Sequence, residues 1–473
     1  MMLPSVLAAA ALCHSVTLGQ TAPAGGGEAA PAGRLVAQAA PLDWKGLEGP
    51  FLSHQVQLTL PDQFAKAGEA YFDHQTPPRW VVFQGVARPE QGKEASPHFA
   101  MYVGRLKYDP DERPARLEQV HRISPDGSAN TCAWFEPLSR EQAWGKLIFG
   151  STVTAPAPSA DTPGYQRQRG SYMWSFPPEM RVVGLTVPAI HDETVREQHA
   201  EEGKNNATGP VHTGPAQKPQ MSIEPPNGPG YMAECSWSPK GRSLLYTYLD
   251  PKTRNPDLWV YDEPSKTHTP LVQAQGYDGG PFFSPDGKWI CYRSDRKGDN
   301  NLQLLVAELA FDAKDAEYMG GRITGIKREL QLTADEQVVS WCPFWHPSMK
   351  YLVYATSALG HANYEVFAIE FDPTKPREAL RRARITSADG FDGLPAFSDD
   401  GALMMWTSQR GPKVAGEARA SSQLWIARVN GEPDWSKAPR STPAGSLPAT
   451  GTPIGPGVSV FPSAPTRPAP ARP

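Results

Sequence analysis

Six times along this chain a short apolar run ends on an aromatic residue, passes through a turn and resumes as a second apolar run. The fullest copy reads Pro281-Phe282-Phe283-Ser284-Pro285-Asp286-Gly287-Lys288-Trp289-Ile290-Cys291-Tyr292. Further copies centre on Phe397, Trp237 and Trp345, and looser ones on Phe135 and Phe72. The spacings between successive anchors are 63, 102, 46, 62 and 52 residues. A repeat of this length is one supersecondary unit that buries its apolar face only against its neighbours. That constraint narrows the fold before any single element is assigned.

Each copy reads as strand, turn, strand. Pro presets φ and Gly accepts positive φ in the Pro-Asp-Gly turn, and the β-branched and aromatic residues that follow favour a pleated strand. A polar loop leads to a third strand, as in Leu258-Trp259-Val260-Tyr261 or Leu302-Gln303-Leu304-Leu305-Val306. Short segments such as Gln331-Leu332-Thr333 and Arg384-Ile385-Thr386 read as a fourth. Four strands per unit predict an all-β chain, a single six-bladed β-propeller over residues 50–432. Gln55-Val56-Gln57-Leu58-Thr59 looks like a fourth strand with no earlier blade to serve. It is expected to close the ring as the outer strand of the sixth blade, which removes an exposed edge.

The ends differ from this core. Leu3 to Cys13 is an apolar run of signal-peptide length, and Thr17-Leu18-Gly19 suits a cleavage site, so residues 1–19 read as an export signal. Residues 20–49 read as a linker and 433–473 as a disordered proline-rich tail. The widest gap between anchors predicts a long loop insertion at about 185–228. A net charge of −4 argues against a nucleic-acid surface, and no integral membrane segment is expected. The chain is expected to be a monomer.

The Phe283–Lys288 turn, together with Phe391-Asp392-Gly393-Leu394-Pro395-Ala396-Phe397-Ser398, resembles the TolB-type six-bladed propeller family. The resemblance covers about residues 50–430 and is strongest in the last four blades. It implies a periplasmic, non-enzymatic binding protein whose partner is an envelope protein, peptide or glycan. The separate N-terminal α/β domain that precedes the TolB propeller is not expected here, because residues 20–49 leave no room for it.

Motifs for chemistry are sparse. The sequence has no G-x-S-x-G elbow, H-E-x-x-H helix, P-loop or G-x-G-x-x-G turn. Cys132, Cys235, Cys291 and Cys342 lack metal-finger spacing and read as small core residues, with Cys132 and Cys342 unbonded on opposite blades. His191 and His199 read as solvated insertion residues, and His346 as a turn residue in the register of Ser284 and Ser398.

One constellation stands out. Glu69 and Glu234 lie three residues before their anchors, and Asp278 and Asp392 five before theirs. Four carboxylates from four blades predict an acidic mouth of the central channel, suited to a divalent cation or a basic peptide. Alternatively, the aspartates cap tight turns while the glutamates bond neighbouring blades. No resident cofactor is otherwise expected. The functional expectation is an exported binding scaffold without chemistry. The alternative is a channel-mouth enzyme such as a polysaccharide lyase or hydrolase.

Overall fold

A computed structural model describes residues 42–137, 146–157, 164–168, 171–175, 177–187, 218–312, 320–433 and 435. The expected export signal, most of the expected insertion with His191 and His199, and nearly all of the expected proline-rich tail lie outside these residues.

Six four-stranded antiparallel sheets form the ring. Blade 1 comprises Phe64–Phe72, Trp80–Ala87, Ala100–Tyr108 and Pro114–Arg122. Blade 2 comprises Asn130–Phe135, Lys146–Ser151, Arg181–Thr186 and Met221–Ser222. Blade 3 runs through Met232–Trp237, Ser243–Leu249, Pro256–Asp262 and Thr267–Val272. Blade 4 runs through Asp278–Phe283, Trp289–Ser294, Gln303–Phe311 and Ile323–Gln331. Blade 5 holds Ser340–Trp345, Tyr351–Thr356, Glu365–Glu370 and Arg382–Arg384. Blade 6 takes Asp392–Phe397, Leu403–Ser408 and Gln423–Val429 from the end of the ring and Leu52–Gln57 from its start.

The N-terminal strand therefore closes the ring, pairing antiparallel with Gln423–Val429. Apolar residues fill the seams. At the closure Phe64 and Phe83 of blade 1 pack with Met405 and Ile426 of blade 6, and Leu304 and Val306 of blade 4 pack with Leu352 and Tyr354 of blade 5. Each fully buried side chain of this size contributes about 1.5–3 kcal/mol.

The fourth-strand segments mark the step between blades rather than the strand itself. In blades 4 and 5 the outer strand ends at Gln331 and Arg384, and the following Thr333 and Thr386 are buried. Their hydroxyls accept the amides of Leu304 and Val366 at 2.9 and 2.8 Å. Thr59, which follows the closing strand, accepts the Leu424 amide at 2.9 Å in the same way. A shared hydroxyl cap thus makes Gln57-Leu58-Thr59 equivalent to the other two segments.

Three features differ from expectation. Met221–Ser222, inside the expected insertion, pairs with Arg181–Thr186 as the outer strand of blade 2. A hairpin, Gly164–Gln168 with Ser171–Ser175, lies between the second and third strands of that blade. Within the expected linker, a five-residue helix, Trp44–Glu48, is tied to blade 6. Its Glu48 accepts from Arg410 at 2.8 and 3.0 Å and from the Ser387 amide at 2.7 Å. Among the described residues no helix is long and apolar enough to cross a membrane.

Candidate functional site

The innermost strands fold alike because each carries a bulge at one register. Three residues before the anchor stand Glu69, Cys132, Glu234, Gly280, Cys342 and Leu394, with φ of 41, 49, 55, 59, 51 and 55°. Each sits where the pairing with the second strand shifts. A left-handed residue in a bulge bends the strand and re-aims the side chains beside it. The six bulge residues line one small chamber of about 20 Å³.

Glu234 accepts several hydrogen bonds in that chamber. It accepts from the Gly280 amide at 2.6 Å, Tyr277 Oη at 2.7 Å and Thr247 Oγ1 at 2.9 Å. The buried Arg293 guanidinium stands 3.5 Å away and donates to Tyr277 Oη at 2.8 Å. It occupies the space beside Gly280 that a Cβ would fill. Glu69 accepts from Tyr71 Oη at 3.2 Å, and burial, aided by the charge of Glu234, holds its carboxyl above the usual range against Cys132 and Arg293. Cys132 and Cys342 both line this chamber as free thiols, and burial pushes both well up.

The structure brings Glu69 and Glu234 together and leaves Asp278 and Asp392 elsewhere. Each aspartate is buried at the start of its strand and pairs with an arginine of its own blade. Asp278 meets Arg296 at 3.2 Å, and Asp392 meets Arg410 at 2.7 Å. Asp392 also accepts the Trp406 indole N–H at 3.1 Å. The chamber is thus lined by two of the four carboxylates. Among the described residues, no group of three or more His, Cys, Asp or Glu is arranged to hold a metal ion.

One residue before the anchor the register is aromatic in four blades: Tyr71, Trp134, Phe282 and Phe344. All six ring pairs lie within 5.0–6.1 Å between centroids. Such distances are those of packed aromatic rings. Rings from blades 1, 2, 4 and 5 thus meet at the axis and form a floor above the polar chamber.

On the turn side this floor is the base of a cup of about 370 Å³. Its walls are the anchors Phe72, Trp237, Phe283, Trp345 and Phe397. Two residues past the anchors stands the rim: Pro137, Pro239, Pro285 and Pro347 in four blades, His74 and Asp399 in the other two. The turns are held locally. Ser284 and Ser398 donate to Asp286 and Asp400 at 2.6 Å, and His346, in the serine register, bonds Ser348 at 2.8 Å.

His74 and Asp399 meet across the closure of the ring. His74 Nδ1 lies 3.0 Å from Asp399 Oδ2 and Nε2 lies 3.2 Å from the Phe135 carbonyl, so both ring nitrogens face acceptors. Only the imidazolium donates from both. Burial pulls the His74 pKa down, but the hydrogen bond and charge of Asp399 outweigh it and hold the value above the ordinary one. The pair pins blades 1, 2 and 6 together at the cup rim.

Aligning the copies on their anchors carries the signal for this cup. Aromatics precede the anchor in four copies, and His74 and Asp399 replace the rim proline in the other two. Reading only the carboxylates passes over both registers.

No family model matches the chain. It is 30% identical over 120 residues to an uncharacterized protein of Agrobacterium fabrum, covering 25% of this chain and 34% of that protein. It is 31% identical over 153 residues to dipeptidyl-peptidase 5 of Porphyromonas gingivalis, covering 30% of this chain and 19% of the peptidase. The matched stretches thus span well under two thirds of either relative. Among solved structures, it is similar to TolB from Acinetobacter baumannii at 12% identity and a TM-score of 0.35, over 74% of this chain and 68% of that one. A luciferin-regenerating enzyme is similar at 12% identity and a TM-score of 0.43, over 80% and 96% of the two chains. The six-bladed ring stands on the chain's own strand pairing.

Proposed function

We propose that this chain is an exported binding propeller of the cell envelope that performs no chemistry and takes a protein, peptide or glycan segment in the aromatic cup. The cup carries the reading. It is a concave, mostly apolar site with a few placed polar groups, and its 370 Å³ volume lies in the range of small-ligand pockets. Aromatic rings from several blades supply rigid contact area at low entropic cost. His74, the titratable base at the rim, has both nitrogens engaged, so it favours a positioned rim over proton transfer. Export is supported by the Leu3–Cys13 run.

A thermal-shift titration of the full-length protein tests this with basic peptides, proline-rich peptides and acidic oligosaccharides. One class is expected to raise the melting temperature by several degrees, since binding to the native state alone adds apparent stability. Trp134→Ala and Phe344→Ala are each expected to remove that rise while keeping the β-sheet circular dichroism. A rise that survives both substitutions puts the ligand outside the cup. Turnover of an oligosaccharide would favour the enzyme reading.

A further inference from the structure

The chain leaves the propeller beside the cup. Trp435 packs its ring 5.8 Å from Tyr351, under the Arg381 guanidinium at 5.5 Å. Tyr351 lies 6.1 Å from Phe397, a wall of the cup, and His346 stacks on Tyr351 at 4.4 Å. Two ring contacts therefore separate the exit point from the cup wall.

The sequence that follows matches the cup in chemistry. Between 436 and 473 it carries ten prolines, the four cations Lys437, Arg440, Arg467 and Arg472, and no acidic residue. Proline-rich segments hold a preformed extended helix and dock on aromatic-lined surfaces. The rim sector nearest Phe397 carries two exposed carboxylates: Asp399, 51% exposed and already paired with His74, and Asp400 beside it. Four to five extended residues reach roughly 15 Å, more than the two ring contacts of 5.8 and 6.1 Å that link Trp435 to Phe397.

We infer that the segment from Pro439 to Pro448 occupies the aromatic cup of its own molecule, with Arg440 against Asp399 and Asp400. This rests on the cup being a binding site, and it makes the tail a tethered occupant that an outside ligand must displace. Tethering at this range supplies an effective concentration in the millimolar range, so a contact that is weak between separate molecules suffices within one.

The test uses the full-length chain with the photo-crosslinking residue p-benzoylphenylalanine in place of Leu447. On irradiation, crosslinks are expected in the monomer band, mapping to the turns that carry Pro347 and Phe397. Lys437→Glu with Arg440→Glu, which changes only the tail, should reduce them at least fivefold. Absence of cup crosslinks, or a yield unchanged by the charge reversal, overturns the inference. Crosslinks confined to a dimer band overturn it in favour of a second copy's tail. If tail crosslinks fail while the thermal-shift ligand still depends on Trp134, the tail inference falls and the cup remains a binding site. If that ligand also proves indifferent to the cup, both fall.

Discussion

His74 shows how one rim residue couples the cup to pH. An imidazole held above its ordinary value stabilises the fold fully below the unfolded-state value near ~6.5, and that gain is lost as pH rises through the folded-state value. The neighbouring Asp73 carboxyl, pushed up to about 6 chiefly by burial, itself titrates at the lower edge of this window. Asp399→Asn removes the charge that raises His74. In the variant the His74 titration, followed by imidazole NMR, is expected to move down. The stability gap between wild type and variant should be greatest near pH 6 and close as pH rises beyond the wild-type His74 value. Its size is about 1 kcal/mol or less, because Asp399 is half exposed to solvent. A His74 titration unmoved by Asp399→Asn would falsify this account of the rim.

At the scale of the strand, the bulge is the recurring device. Five of its six residues carry side chains in a left-handed backbone, which costs of order 1–3 kcal/mol each, and the closed ring holds them there. Gly280 is the exception for a reason of space. Arg293 fills the volume beside it and pairs with Glu234 across the chamber. Gly280→Ala is expected to displace the guanidinium and leave Glu234 short of its cation. Breaking a buried pair this way costs about 3–5 kcal/mol, measurable by urea unfolding. In an Arg293→Ala background the same substitution should cost far less. Equal costs in the two backgrounds would mean that the clash with Arg293 is not the cause.

For the whole molecule, stability depends on joining the first strand to the last blade. If Leu52–Gln57 is an ordinary outer strand, its hydroxyl cap should be worth what the caps inside the ring are worth. Thr59→Val and Thr386→Val each orphan a buried amide, of Leu424 and Val366, and remove the hydroxyl's own donation, to Gln423 and Glu365, at a cost of about 1–3 kcal/mol for each group left unpaired. Comparable losses in thermal unfolding are expected. A silent Thr59→Val beside a costly Thr386→Val would show that the closing strand contributes little.

Local pattern determined much of this protein. Six aromatic anchors with their turns imply six blades, and the stray Gln55–Thr59 segment implies closure, because a repeat that buries one face needs a neighbour on each side. The bulge, floor and rim positions are also written as registers counted from the anchors. What those registers meet was decided by the ring. The four floor aromatics touch because blades 1, 2, 4 and 5 converge on one axis, and His74 finds Asp399 from 325 residues away because blade 6 returns to blade 1. Asp278 and Asp392 look like partners of Glu69 and Glu234 when counted along the strand. Yet their arginines lie 18 residues further on, brought back only by the pairing of the first two strands in each blade. Side-chain period and turn chemistry act over a few residues, so they are legible in one chain. Which charge neutralises which, and which rings enclose a cup, depend on contacts that exist only once the ring has closed.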